Sequence, residues 1–219
     1  MTPVESSRQF EYENGFYLTA PVDRISKFVT HLDLFRRVSS LAGDIVECGV
    51  FKGASLCRWV KLRALLENNG SRRIVAFDTF GDFPEADFVD DQTRRSDFIA
   101  AAGNTSIALE DLETLLRGQG VYENIDLVAG DIAKTVPAYT EDRPEMKIAL
   151  LNIDVDLRAP TRTCLQQLYP RLVRGGIAIL DDYGAFAGAN HAIDEFFAET
   201  DVRIQKLPFS SNVAFVVKE

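Results

Sequence analysis

Short, almost continuous apolar runs alternate along this sequence with longer segments of helical period. Five of these runs predict β-strands, at residues 44–48, 73–77, 125–129 and 147–153 and, after a turn at Gly175 and Gly176, up to Leu180. Runs of this kind are typical of parallel strands that helices cover on both faces. The alternation therefore predicts an α/β fold of the Rossmann-like type.

The helical segments and the last two apolar runs complete this prediction. Helices are expected at residues 54–68, from about Pro160 to about Leu172, and at residues 187–199. The runs 202–207 and 212–217 are joined by a short link, which permits only an antiparallel hairpin. We therefore expect a seven-stranded, mostly parallel sheet with a C-terminal antiparallel hairpin strand.

Two stretches are expected to lie outside this core. Residues 1–43 form a helical, aromatic-rich cap region in our interpretation, and residues 44–219 form the main part of a single domain. The second stretch, residues 79–124, is longer than a single crossover helix between two parallel strands needs. It carries an acidic patch at Asp87, Asp90 and Asp91. Long connections of this kind usually form lids or binding loops.

Composition narrows the classes of function. A chain of 219 residues, 46% of them hydrophobic, suits one domain with a full core. The apolar runs are much shorter than the roughly 20 residues that span a bilayer. The polar start of the sequence lacks the basic segment followed by an apolar segment that is typical of an export signal. We therefore expect a cytoplasmic location without membrane contact. The formal charge of -9 disfavours nucleic acid and leaves a small molecule as the expected partner.

A glycine-containing segment lies where the first strand passes into a helix. This glycine bend, residues 47–55, has the sequence ECGVFKGAS. Glycines at the carboxyl end of a strand let a ligand approach the backbone, and ligands bind at this edge of open α/β sheets. Cys48 and Val50 stand where the dinucleotide fingerprint G-x-G-x-x-G requires glycine, so a nicotinamide cofactor is disfavoured. A glycine turn that only packs a helix on a strand is an equally good interpretation.

Acidic residues follow the second and third strands. Asp78 can accept hydrogen bonds from the ribose hydroxyls of a nucleoside-like cofactor, by the logic of the Rossmann carboxylate. Asp131 in the run VAGD has the comparable place one strand over. Each is equally well interpreted as the cap of a turn or helix.

The most informative residues are the carboxylates that end the fourth and fifth strands. Asp154 and Asp156 follow the fourth strand, and Asp181 and Asp182 follow the fifth. These strands are expected to be neighbours, so the carboxylates should crowd together and require either raised pKa values or a bound cation. Oxygen ligands without histidine or cysteine suit a hard ion, with Mg²⁺ ranked above Ca²⁺ or Mn²⁺. The alternative is that they cap helices, as Asp156 would for the helix near Pro160.

These residues stand in runs that resemble a known family. The runs are NGFYLT at 14–19, GDIVECGVFKG at 43–53, FDTF at 77–80, NIDVDL at 152–157 and GGIAILDDY at 175–183. In this order they are similar to the macrocin O-methyltransferases, class I enzymes that methylate sugar hydroxyls on macrolide and aminocoumarin antibiotics. The resemblance covers nearly the whole chain.

The resemblance implies a donor, a metal and an acceptor. It implies S-adenosylmethionine as methyl donor, a methyltransferase domain at residues 44–219, and methylation of a hydroxyl next to a second hydroxyl. It also implies Mg²⁺ bound by the carboxylates that match Asp154, Asp181 and Asp182. We expect the cofactor-binding residues to be Glu47, Gly49, Val50, Phe51, Gly53, Ser55, Asp78, Thr79, Gly130, Asp131 and Asp154.

The catalytic base and the class of protein are each left with an alternative. Asp154 is our candidate for taking the proton of the hydroxyl, and His191 is a second candidate. The competing functions are a nicotinamide-dependent oxidoreductase and a nucleoside-binding protein that transfers nothing. The aromatic amino-terminal stretch is a candidate interface for a homo-oligomer.

Overall fold

A computed structural model describes residues 5–86 and 88–219, so Asp87 of the predicted acidic patch lies outside the described residues. The strands are β1 (Asp44–Cys48), β2 (Ile74–Asp78), β3 (Ile125–Ala129), β4 (Ile148–Ile153), β5 (Leu172–Leu180), β6 (Gln205–Lys206) and β7 (Ala214–Val217). The helices are α1 (Gln9–Thr19), α2 (Val22–Val38), α3 (Ala54–Leu66), α4 (Asp91–Ala102), α5 (Leu109–Gly118), α6 (Ile132–Asp142), α7 (Arg158–Leu168) and α8 (Ala187–Phe197).

Within these residues the strands form one seven-stranded sheet in the order β3-β2-β1-β4-β5-β7-β6. Strands β1 to β5 pair in parallel, and β7 is antiparallel to both β5 and β6. The predicted class and the neighbouring positions of the fourth and fifth strands are thereby confirmed. The strand order reverses between β1 and β4, and an open α/β sheet binds ligands beside such a switch point.

Successive residues of the buried strands pack into two hydrophobic cores, one on each face of the sheet. Ile45 packs with residues of α2, α3 and α5, whereas Val46 packs with residues of α6, α7 and α8. This alternation follows from the opposite directions of neighbouring side chains on a strand. It explains why the parallel strands are continuously apolar. None of the described helices has the length and apolarity needed to cross a membrane.

The connection 79–124 differs from the expectation that it lies outside the core. Leu112 and Leu116 of α5 are completely buried and belong to one of the two cores. Their spacing places both side chains on one face of α5, which therefore serves as the crossover helix between β2 and β3. The part of the connection before α5 includes α4 and lies beside the carboxyl edge of the sheet. It is bound there by a hydrogen bond from the Gly188 N–H to the Asp91 carboxylate, 2.9 Å long.

The prediction that Gly175 and Gly176 form a turn before the fifth strand is also wrong. β5 begins at Leu172, and Gly175 and Gly176 lie inside it, where the register against β4 shifts. Gly175 has φ +79°, and a Cβ at Gly176 would lie 2.8 Å from the carbonyl oxygen of Val173. The glycines therefore form a bulge within the strand rather than a turn before it.

Candidate active site

A cavity of about 640 Å³ opens at the carboxyl ends of the central strands. Eight of the predicted cofactor-binding residues line it: Gly49, Val50, Phe51, Ser55, Asp78, Thr79, Asp131 and Asp154. Glu47, Gly53 and Gly130 are not among its lining residues. Asp156 also lines the cavity, whereas Asp181 and Asp182 lie beside it. The structure thus brings most of the predicted residues to one place.

Gly49 lies where the ends of β1 and β4 meet. Its N–H donates to the carbonyl of Phe77 at 2.9 Å, and the N–H of Asp154 donates to the carbonyl of Cys48 at 2.9 Å. Gly49 has φ +90°, and a Cβ there would lie 1.7 Å from the carbonyl oxygen of Asp154. We expected this glycine to leave room for a ligand, but the group that requires its missing side chain is the backbone of β4.

Asp78 fixes the glycine bend to the end of β2. One carboxylate oxygen accepts hydrogen bonds from the N–H groups of Val50 and Phe51, at 2.8 and 3.0 Å. The other accepts from the N–H of Phe80 at 2.7 Å. These bonds hold Phe51 at φ +48°, an uncommon conformation for a residue other than glycine. Asp78 therefore orders the bend, and a contact with ribose stays a prediction.

Asp131 is the N-terminal cap of α6. Its carboxylate accepts a hydrogen bond from the N–H of Ala133 at 3.0 Å, the usual contact of a capping aspartate. The residue is exposed and also lines the cavity. The capping interpretation is therefore satisfied, and a second contact with a ligand stays a prediction.

Glu47 lies behind the cavity wall and is completely buried. Burial raises the pKa of its carboxyl to about 8, although the neighbouring Ser55 and Asn152 side chains oppose this rise. The side-chain amide of Asn152 donates to one carboxyl oxygen at 3.2 Å. The other oxygen has no hydrogen-bond partner among the described residues.

The four carboxylates at the ends of β4 and β5 form an acidic cluster, consisting of Asp154, Asp156, Asp181 and Asp182. Asp154, Asp156 and Asp182 each offer an oxygen within 4.8 Å of the other two. The predicted metal ligands are Asp154, Asp181 and Asp182. The group that lies close together therefore contains two of them, with Asp156 in the place of Asp181. Asp182 accepts hydrogen bonds from the N–H groups of Val155 and Asp156, at 3.0 and 2.7 Å.

Burial and mutual repulsion control the charge of the cluster. Burial, followed by the charge of Asp154, raises the pKa of both Asp156 and Asp181 to about 7. Burial and the charge of Asp156 raise the pKa of Asp182 well above its ordinary value. The capping expectation for Asp156 is wrong: the cap position of α7 is Leu157, and no described side chain caps that helix end.

Lys27 of α2 is a member of the site that the sequence reasoning missed. Its ammonium lies 2.6 Å from a carboxylate oxygen of Asp181 and 3.1 Å from one of Asp154. Burial lowers the pKa of Lys27, but the charges of Asp154 and Asp181 outweigh it and raise the pKa above its ordinary value. Among the described residues no other cation forms a salt bridge with the cluster.

Three aromatic side chains form an aromatic wall on the side of the cavity next to α4. Phe98 contacts the rings of Phe51 and Phe83, with centroids 5.3 and 5.6 Å apart, and all three line the cavity. The long connection thus contributes to the site as expected of binding loops. His191 is exposed and does not line the cavity; its Nδ1 lies 3.7 Å from Glu195.

Comparison with known proteins identifies similar chains. The family model described as Macrocin-O-methyltransferase (TylF) matches residues 23–207. The 8-demethyl-8-(2,3-dimethoxy-alpha-L-rhamnosyl)-tetracenomycin-C 4'-O-methyltransferase of Streptomyces olivaceus is 30% identical over 148 residues, which are 64% of this chain and 53% of that protein. The demethyldecarbamoylnovobiocin O-methyltransferase of Streptomyces niveus is 27% identical over 170 residues, 75% of this chain and 62% of that protein. This chain therefore matches less than two thirds of the length of either relative.

A solved structure matches over a larger share. The crystal structure of CalS11, a calicheamicin methyltransferase, superposes with a TM-score of 0.79 and 28% identity. The match covers 99% of this chain and 86% of that one. The similarity therefore includes the helices before β1 and the whole sheet.

Proposed function

The chain belongs to the macrocin O-methyltransferase family, and on that premise we propose that it transfers a methyl group from S-adenosylmethionine to a sugar hydroxyl, assisted by a divalent cation. The observation that carries the proposal is the single cavity that joins the glycine bend to the acidic cluster. A donor bound at the bend would present its methyl group beside Asp154. The acceptor would be a sugar or another diol-containing small molecule.

The donor side of the proposal rests on the order of the strand ends. The sheet order β3-β2-β1-β4 places Asp131, Asp78, the glycine bend and Asp154 in sequence along one edge. The nucleoside of the donor would lie toward β2 and β3, beside Asp78 and the aromatic wall. Its sulfonium would then lie between the bend and Asp154. Thr79 and Ser55 complete the proposed donor site.

The acidic cluster fits a hard divalent cation. All four side chains offer carboxylate oxygens, and one oxygen of Asp181 is buried without a hydrogen-bond partner among the described residues. With Lys27 as the contacting cation, ionised carboxylates would retain an excess of negative charge. The residues that would hold the ion are Asp154, Asp181 and Asp182, with Asp156 beside them. When bound, Mg²⁺ supplies positive charge that orients neighbouring hydroxyls and stabilises a developing alkoxide.

The position of Asp154 supports its proposed role as the base. It lines the cavity that the acceptor must enter, whereas His191 does not. In the transfer step the acceptor oxygen bonds to the methyl carbon while the carbon–sulfur bond breaks, so the sulfonium becomes a neutral thioether. The hydroxyl proton passes to the Asp154 carboxylate. The enzyme's main contribution is alignment of oxygen, carbon and sulfur.

The names of the relatives support the proposed class of acceptor. The two curated relatives carry names that describe O-methyltransferases acting on antibiotics, one of them explicitly rhamnosylated. We propose that this chain likewise methylates a sugar hydroxyl that neighbours a second hydroxyl. A vicinal pair is the arrangement that a cation in the acidic cluster can chelate.

The test is formation of S-adenosylhomocysteine by the purified protein with a panel of rhamnosides, nucleotide sugars and catechols. We expect product with a vicinal diol, loss of activity in excess EDTA and recovery with Mg²⁺. S-adenosylhomocysteine should raise the melting temperature, and NAD should not. Full activity in EDTA would remove the metal from the proposal. Binding of S-adenosylhomocysteine without turnover of any diol would favour a protein that binds the cofactor but transfers nothing.

A further inference from the structure

Arg58 lines the cavity and has no polar partner among the residues that the structure describes. It lies in the second turn of α3 and is half-buried. Within the part of the chain that the structure describes, its guanidinium forms no hydrogen bond and no ion pair. Burial lowers the pKa of Arg58. A half-buried guanidinium in a cavity wall, without a partner among the described residues, is suited to bind an anionic ligand.

The carboxylates nearest to Arg58 are already bound to other groups. Asp154 and Asp181 share the ammonium of Lys27. Glu47 accepts a hydrogen bond from Asn152, and its raised pKa favours the neutral acid. Arg58 therefore remains available to a ligand, although it lies within range of three acidic groups.

The position of Arg58 relative to the glycine bend identifies the part of the ligand it would meet. α3 begins at the end of the bend, and Ala54, Ser55 and Arg58 all line the cavity. Residues 54 and 58 are one turn apart, so they lie on the same face of the helix. Arg58 lies within electrostatic range of Glu47 in β1 and of Asp154 after β4, so this face is on the side of the cavity away from β2 and β3. The substituent of the donor that leaves the sulfur in this direction is the aminocarboxypropyl group of methionine.

We infer that Arg58 binds the carboxylate of the methionine part of S-adenosylmethionine, an inference that rests on the proposed function. A guanidinium can bind a carboxylate through two parallel hydrogen bonds, which fixes its orientation as well as its position. Arg58 is then a donor-positioning residue that lies outside the glycine bend. It would orient the sulfonium toward Asp154 by holding the opposite end of the donor.

Two ligands that differ only at the methionine end provide the test. S-adenosylhomocysteine carries the aminocarboxypropyl group, and 5′-methylthioadenosine has a methyl group in its place. Calorimetry measures both dissociation constants for the wild type, Arg58→Met and Arg58→Lys. We expect Arg58→Met to weaken S-adenosylhomocysteine roughly 10- to 100-fold, the range for hydrogen bonds to charged groups. Binding of methylthioadenosine should stay within about twofold, because the substitution is remote from the nucleoside.

Further variants distinguish this role from general effects. Arg58→Lys should restore part of the lost affinity for S-adenosylhomocysteine, since it keeps the charge but not the paired hydrogen bonds. Lys61→Met removes the same charge from an exposed position of α3, and should change neither constant. Equal weakening of both ligands by Arg58→Met, or no weakening of either, would overturn the assignment. Loss of acceptor affinity with unchanged S-adenosylhomocysteine binding would overturn it too and assign Arg58 to the acceptor. A wild type that binds neither ligand would contradict the proposed function itself.

Discussion

The two ends of the cavity are built from different kinds of group. At the donor end the glycine bend shapes the wall through its backbone, with Gly49, Phe51 and Gly53 at φ values of +90°, +48° and +82°. At the other end the acidic cluster consists of side-chain charges. A single cation, Lys27, forms salt bridges with it among the described residues. The glycine bend therefore acts through the shape of its backbone, and the acidic cluster acts through its charge.

This difference determines which substitutions each end tolerates. At Gly49 the bend has no room for a side chain. In the acidic cluster a side chain of the same shape should leave the fold intact. The reaction should nevertheless fail when the replacement removes a charge that it needs. The two ends meet where Gly49 approaches the carbonyl of Asp154. A substitution that distorts the glycine bend is thus expected to disturb the acidic cluster as well. A change of charge in the acidic cluster should leave the bend intact.

The largest effect is expected for Asp154→Asn, which changes charge without changing shape. If Asp154 accepts the proton and contributes to cation binding, the rate of methyl transfer should fall by about 10³-fold. The dissociation constant of S-adenosylhomocysteine should change by no more than about threefold, because the bend keeps its conformation. Initial rates and calorimetry measure the two quantities.

Asp142→Asn is the matched control for Asp154→Asn. Asp142 is exposed at the end of α6, before β4 begins, and does not line the cavity. Its substitution should leave both the rate and the dissociation constant unchanged. An Asp154→Asn protein that retains wild-type rates would show that charge at this position is not needed, and the distinction between the two ends would no longer hold.

Gly49→Ala is the corresponding substitution at the backbone end. The added methyl group would lie 1.7 Å from the Asp154 carbonyl oxygen and 2.7 Å from its carbon, and neither belongs to a flexible side chain. Since φ is also unfavourable for alanine, the free energy of unfolding should fall by about 3 kcal/mol or more. Transfer should be lost as well, because β4 must move. Denaturant unfolding measures the stability.

Gly118→Ala is the control for this substitution. A Cβ at Gly118 would meet no atom within 4 Å, and the residue ends a helix. Its replacement should change the free energy of unfolding by less than about 1 kcal/mol, in the stabilising direction. If Gly49→Ala were as stable as this control, the close approach of β1 and β4 would not be a constraint on the site.

The same contrast explains what could be predicted from the sequence. The bounds of β1 and β3 match the prediction residue for residue, because a short apolar run between turns is a local signal. The place of Asp154 beside Asp182 follows from strand order, which general rules of α/β topology supply. Features that depend on local pattern and on topology were therefore accessible.

Features that depend on contacts between distant segments were not accessible. Lys27 meets its partners 127 and 154 residues later in the chain, and nothing in the local pattern of α2 distinguishes it from other surface lysines. The requirement for glycine at position 49 is also set by a distant residue, Asp154. Gly175 and Gly176 have the local pattern of a turn, but hydrogen bonds with the backbone of Lys218 keep them inside β5. In each case tertiary contacts determine a feature that the local pattern does not show.

The smallest of these effects is expected for Lys27→Met, which tests the charge-controlled end alone. The Lys27 ammonium and a divalent cation would compete for the same oxygens of Asp154 and Asp181. Loss of the ammonium should therefore tighten Mn²⁺ binding by roughly 10-fold, a modest change because the site is partly open to solvent. Titration of free Mn²⁺ by electron paramagnetic resonance measures this affinity without any need for turnover.

Lys52→Met separates this local competition from the general charge of the cavity. Lys52 also lines the cavity, but its ammonium donates to the carbonyl of Thr105 instead of to the acidic cluster. Its substitution should alter Mn²⁺ affinity by less than about twofold, since solvent screens the more distant charge. If Lys27→Met weakened Mn²⁺ binding, the lysine would be holding the carboxylates in place for the cation. The acidic end would then depend on positioning as much as the donor end does.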